Sequence, residues 1–225
     1  MEFLFDGLCL QNGRETNMDS LLLAERKISG TPVLLAVVCD GVGSLVDGAF
    51  ASMESVRSLN AWFYELSDIF RAGLRLRDEV LSINSRILAD SAALGVKTAT
   101  TLSALLLVGN YYYVVHSGDS RVYAVNNDGL LSLTTDMVNE SGKLTSCIGR
   151  FDNPELYYTE GVSDSDGFLL CSDGLYKRVD ENIVFNNIDI DTRKSLSKTL
   201  NNLSDFAIGQ GERDNISIAI IKIVK

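Results

Sequence analysis

The chain has 225 residues, 46% of them hydrophobic and only 2 of them proline, so it can bury a sizeable core and lacks the composition of a disordered segment. Thirty acidic residues against 20 basic ones give a net charge of −10, which disfavours nucleic acid and anionic membrane as partners. No apolar run approaches the ~20 residues a membrane span needs, and the acid-bearing opening MEFLFDGLCLQ lacks the basic stretch of a signal peptide.

Strand-like runs begin at Ser20–Glu25 and Val33–Cys39, the second apolar without alternation, as expected of a strand covered on both faces. Val46, Ala49, Phe50, Met53, Val56 and Phe63 then recur at helical spacing, with Ser44 and Asp47 as a capping box. The aromatics Phe50, Trp62 and Phe63 are expected in the core. A second stripe follows in Leu76, Val80, Ile83 and Ile87. Runs at Thr100–Val108, Tyr111–Ser117 and Arg121–Asn126 are separated by turn residues close enough for hairpins, which implies antiparallel sheet. Gly167–Cys171 reads as another strand. Leu196, Leu200, Leu203 and Ala207 form a third helical stripe with Asp191 as candidate N-cap, and Ile216–Val224 closes the series as a strand. With no repeat or linker, the reading is one α+β domain over residues 1–225. Packed antiparallel sheets with helices outside would explain the two-sided burial.

Aspartates mark five strand margins: Asp19, Asp40, Asp119, Asp173 and Asp214, three of them beside a glycine. If those ends meet, their repulsion calls for a cation. Oxygen ligands favour Mg²⁺ or Mn²⁺ over zinc, and a histidine-based metal site is excluded because His116 is the only histidine. The glycine after Asp40 lets backbone come close, so the Gly41 carbonyl can act as a further ligand. Cys9, Cys39, Cys147 and Cys171 show no metal-binding spacing, and the simplest compartment for them is a reducing, cytoplasmic one.

Read in order, GRETNMDS (residues 13–20), CDGVG (39–43), GAFAS (48–52), TTL (100–102), SGDSR (117–121), LTTD (133–136), LTSCIG (144–149), SDGL (172–175) and DNIS (214–217) resemble the metal-dependent 2C-type serine/threonine protein phosphatases in their compact bacterial form. Each stretch is weak alone; the ordered set is specific. The resemblance implies a four-layer α-β-β-α sandwich. It implies that Asp40 bridges two divalent ions, Mn²⁺ or Mg²⁺, with Asp173 and Asp214 completing one site and the Gly41 carbonyl serving the other. A hydroxide held between the ions would attack phosphorus in line, without a phosphoenzyme. Arg14 would grip the phosphate through its planar fork, Asp19 would order water around the metals, and Asp119 would serve an accessory third ion or the same water network. Phosphoproteins, with a bacterial serine/threonine kinase and its targets, are the implied partners.

Three departures stand out. Position 18 is methionine where the family usually has Glu or Gln. Only residues 137–143 stand where a longer flap is usual, which should open the cleft. The basic residue expected near Thr145 is absent, since Ser146 follows. These departures keep a second class in view, a weakened or inactive module that binds a phosphoprotein or regulatory partner. A phosphatase for small phosphorylated molecules is a third. Two other readings fail on chemistry: GDSR as an esterase nucleophile has no later histidine as base, and CDGVG as a haloacid-dehalogenase-type site has Val42 where a second acid is needed. His116 is expected to pack or hydrogen-bond, Ser120 and Arg121 to tie a turn, and Thr100 and Thr101 to bond backbone.

Overall fold

The computed structural model describes residues 1–43 and 48–224. The capping box at Ser44 and Asp47, and Val46 of the first stripe, lie outside the described residues. Two five-stranded antiparallel sheets form the centre. One runs β2 (Asp19–Ile28), β3 (Thr31–Asp40), β4 (Leu102–Val108), β5 (Tyr111–Ser117), β8 (Tyr157–Val162). The other runs β1 (Glu2–Leu10), β10 (Ile216–Val224), β9 (Gly167–Cys171), β6 (Arg121–Asn126), β7 (Gly129–Ser132).

Strand β3 shows why its sequence does not alternate. Leu34, Ala36 and Val38 pack into the cluster shared with Phe168, Leu170, Ala219 and Ile221 of the opposite sheet. Val33, Leu35 and Val37 face outward, against Leu59, Phe63, Leu76, Val80, Ile83 and Ile87 of α1 (Gly48–Glu65) and α2 (Ala72–Leu94). In β10, Ala219 and Ile221 face the other sheet, while Ile216, Ile218 and Ile220 meet Leu196, Leu200, Leu203 and Ala207 of α5 (Arg193–Gly209). Both faces of each central strand are therefore apolar, and truncating one such side chain to alanine costs about 2–5 kcal/mol. The layers are helix, sheet, sheet, helix, as the resemblance implied. Short helices α3 (Asp173–Tyr176) and α4 (Glu181–Asn187) pack on the α5 side.

Three local readings are corrected. In α1 the buried face is Gly48, Ala51, Ser52, Ser55, Leu59 and Phe63, whereas Met53 is 60% exposed. Small residues are needed there because α1 lies against backbone: Ser52 Oγ donates to the Met18 carbonyl at 2.6 Å and bonds Ser20 Oγ at 3.1 Å. Helix α5 is capped by Thr192 rather than Asp191. Thr192 Oγ1 accepts from the Ser195 N–H, and Ser195 Oγ accepts from the Thr192 N–H, a reciprocal box that Asp191 cannot make from one residue earlier. Strands β1, β7 and β8 were not foreseen; β1 pairs with β10 along its whole length, from Glu2↔Val224 to Leu10↔Ile216.

Candidate active site at one edge of the sandwich

The antiparallel registers decide where the acids go. Asp19 opens β2 directly opposite Asp40, which ends β3. Leu102 at the start of β4 pairs with Ser117 at the end of β5, just before Asp119. Across the sandwich, Cys171 pairs with both Arg121 and Ile218, which brings Asp173, Asp119 and Asp214 to the same edge. There a cleft of about 1080 Å³ is lined by Arg14, Asp40, Gly41, Asp119, Asp173 and Asp214, together with Met18. Asp19 does not line it; its carboxylate is buried opposite Asp40.

Asp40 and Asp173 are each followed by glycine for a steric reason. A Cβ on Gly41 would lie 2.5 Å from the Gly48 carbonyl oxygen and 2.6 Å from that of Met18. A Cβ on Gly174 would lie 2.0 Å from the Asn215 carbonyl oxygen. The chain passes so near itself at both places that no side chain fits. Asp40 is further fixed through its backbone: its N–H donates to Thr101 Oγ1 at 3.0 Å, and its carbonyl accepts from Thr101 N–H and Thr100 Oγ1.

The electrostatics are those of crowded acids. Loss of hydration, then the charges of Asp19, Asp173 and Asp119, push Asp40 well above the usual carboxylate range. Burial lifts Asp19 to about 7 against hydrogen bonds from Ser217 and Ser172, the latter donating to Oδ2 at 2.9 Å. Burial and then Asp173 lift Asp119 to about 6. For Asp214 burial acts upward, but the hydrogen bonds of Arg14 and the Asn215 N–H, with the charges of Arg14 and Lys177, together more than offset it: Arg14 Nε and Nη2 grip its two oxygens at 2.8 and 2.6 Å, and its carboxyl falls below the usual value. Two oxygens, Asp19 Oδ1 and Asp173 Oδ1, are buried without a hydrogen-bond partner. Among the described residues no three His, Cys, Asp or Glu side chains converge closely enough to hold an ion; Asp214 is paired with Arg14 and Asp173 with Lys177. The residues nonetheless fit divalent cations: hard oxygen donors, buried orphan lone pairs and raised acids are what a cation would relieve.

Basic residues that sequence reasoning passed over complete the cleft. Lys177 ion-pairs with Asp173 one helical turn away. Burial draws its ammonium down, but the hydrogen bond and charges of Asp173, with Asp119 and Asp40, leave it raised. The i,i+4 spacing was the available signal. The segment after Asp136 does not leave the cleft bare. It forms a tight hairpin, Met137 N–H donating to Gly118 O at 2.7 Å and Thr145 N–H to Met137 O at 2.8 Å, and it sets Gly142, Lys143 and Leu144 on the wall. Arg150 joins them, so basic charge is supplied from elsewhere despite Ser146. His116 is buried between Ser103 Oγ (2.9 Å) and the Thr135 carbonyl (3.2 Å), and Arg121 grips Asp136 at 2.9 and 2.8 Å, both structural as expected.

The family profile of protein phosphatase 2C matches residues 13–206. The chain belongs to the protein phosphatase 2C family. Among curated 2C relatives, it is 25% identical over 241 residues to the serine/threonine protein phosphatase PstP of Mycobacterium tuberculosis, covering 94% of this chain but 43% of that protein. It is 26% identical over 213 residues to the serine/threonine phosphatase stp of Listeria welshimeri, with 84% of each covered. The chain thus spans less than half the length of the mycobacterial relative and most of the Listeria one. Its fold matches the crystal structure of serine/threonine phosphatase Stp1 from Staphylococcus aureus with a TM-score of 0.90 at 19% identity, covering 100% of this chain and 96% of that one. It also matches the catalytic domain of PstP solved with 2 manganese ions, with a TM-score of 0.81 at 24% identity and 99% of both chains covered. No helix among the described residues is long and apolar enough to cross a membrane.

Proposed function

We propose that this chain is a metal-dependent protein phosphatase that hydrolyses phosphoserine and phosphothreonine. One observation carries the reading: Asp40, Asp119, Asp173 and Asp214 share a cleft with Arg14, Lys143 and Arg150. Acids alone would repel a phosphate, and basic residues alone would need no acids. Asp40, Asp173 and Asp214 with the Gly41 carbonyl would hold two divalent ions, Mn²⁺ or Mg²⁺, and Asp119 an accessory third. When bound, such ions neutralise phosphate charge and lower the pKa of water near the phosphorus.

The chain's own residues have separable tasks. Thr100 and Thr101 lock the Asp40 backbone, so its carboxylate enters the cleft at a fixed angle. Ser172 holds Asp19 behind it. Arg14, whose side chain is 57% exposed, gains little from pairing with Asp214 in water and can turn its fork to phosphate oxygens. Lys143 on the short hairpin takes the place of a longer flap at the cleft wall. The reading extends to a single catalytic domain acting in the cytoplasm in signalling, opposing a serine/threonine kinase on its protein targets.

The test is hydrolysis of a phosphothreonine peptide with Mn²⁺, with and without chelator, by wild type and Asp40→Asn. Turnover that needs metal and is lost in the variant supports the enzyme. Metal binding without turnover of any phosphoester would make the chain a binding module instead.

A further inference from the structure

Lys177, its side chain 55% exposed, places an ammonium group at the margin of a cluster of carboxylates. Its Nζ contacts Asp173 Oδ2, and the cleft it lines also holds Asp40 and Asp119. Asp173 is well covered, its side chain 12% exposed, and its other oxygen, Oδ1, has no hydrogen-bond partner. The backbone carrying the lysine is held on two sides. Lys177 N–H donates to the Asp173 carbonyl at 3.0 Å, and the adjacent Tyr176 hydroxyl donates to the Asp119 carbonyl at 3.0 Å. The Tyr176 ring is itself covered by the Arg121 guanidinium, 3.7 Å from its centroid, while Arg121 grips Asp136. The lysine stem therefore starts from a clamped point between Asp173 and Asp119.

We propose that Lys177 is a tethered cation that competes with a divalent ion for Asp173, so that the acid cluster is partly neutralised by the chain itself. This rests on the metal-binding reading above and adds a residue to it. An ammonium cannot bridge several carboxylates as a divalent ion does, but it is tethered at high effective concentration and loses no translational freedom on pairing. It would stabilise the metal-free protein and weaken ion binding on this side of the cleft, leaving the Asp40 side to load first. A unit positive charge a few ångströms away, partly screened by solvent, changes the affinity for a divalent ion by about tenfold.

The experiment titrates Mn²⁺ calorimetrically into chelator-stripped wild type, Lys177→Met and Lys177→Arg, and records melting with and without Mn²⁺. Methionine keeps the stem's packing without the charge. The expected result is an ion bound about tenfold tighter, or one ion more, in K177M. Its metal-free melting temperature should be lower than wild type while its Mn²⁺-saturated one is not, and K177R should follow wild type. A K177M isotherm within twofold of wild type overturns the assignment; if metal-free melting drops all the same, Lys177 is only a structural ion pair. If neither wild type nor K177M binds Mn²⁺, the metal-binding reading fails along with it, whereas Mn²⁺ binding that is unaltered in K177M removes the lysine's role alone.

Discussion

On one side of the cleft, Asp214 and Asp173 each carry a cation supplied by the chain, Arg14 and Lys177. On the other, Asp40, Asp19 and Asp119 make no ion pair among the described residues, and all three are pushed upward. In sequence the two sides look alike, an apolar strand ending in Asp-Gly each time. The difference lies in the next few residues: a helical turn after Asp173 brings Lys177 back onto it, whereas the stretch after Asp40 is Val42-Gly43, which has no charge to offer. A repeated motif can thus be ion-paired at one copy and unpaired at the other.

The hardest blow to this contrast is Asp40→Asn. It should lower kcat for a phosphothreonine peptide with Mn²⁺ by about a thousandfold or more, and it should raise the melting temperature of the metal-free protein by relieving repulsion. A variant that melts lower without metal would mean that the unpaired side is not strained by its charges. Backbone equivalence of the two copies is tested by Gly41→Ala and Gly174→Ala. Each forces a Cβ into carbonyl oxygen and should cost about 3 kcal/mol or more in urea unfolding; a milder Gly174 variant would show that β10 can move away.

The one histidine, on β5, is buried outside the cleft lining, and burial holds it neutral by lowering its pKa to about 4. In the unfolded chain it titrates near ~6.5. Below that pH the unfolded state takes up a proton that the fold refuses, so this contribution to stability is whole above ~6.5 and falls as pH drops towards 4, by about 3 kcal/mol in all. His116→Gln should flatten the acid limb of melting temperature against pH, and an unchanged slope would remove the effect. The smallest expected change is on the paired side: Arg14→Ala should raise KM about tenfold with a lesser loss in kcat. A fall confined to kcat would put Arg14 at the reacting centre rather than at substrate capture.

Much of this was legible in the sequence where chemistry forces residue type. Runs such as Val33–Cys39 and Ile216–Val224 declared two-sided burial, and the acids at strand margins declared their meeting place. What escaped had tertiary causes. Strand β1 carries Asp6-Gly7, a turn-like pair, at its middle and is recognisable only through its continuous pairing with β10. The stripe expected of helix α1 is buried only in part: Phe63 and Val56 pack on the core, but Met53 is exposed because close approach to Met18 puts the small Ser52 on the inner face. Lys143 and Arg150 enter the cleft through a hairpin and a loop whose course no periodicity encodes.

Pairing of β1 with β10 has a consequence for biosynthesis. Arg14 follows the first strand, and its partner Asp214 immediately precedes the last. A nascent polypeptide emerging from the ribosome can assemble the β2–β5 hairpins early, but the outer sheet lacks its second member until residues 216–224 have been translated. The cleft therefore cannot take its final form until Asp214 and β10 have been translated, long after Asp40.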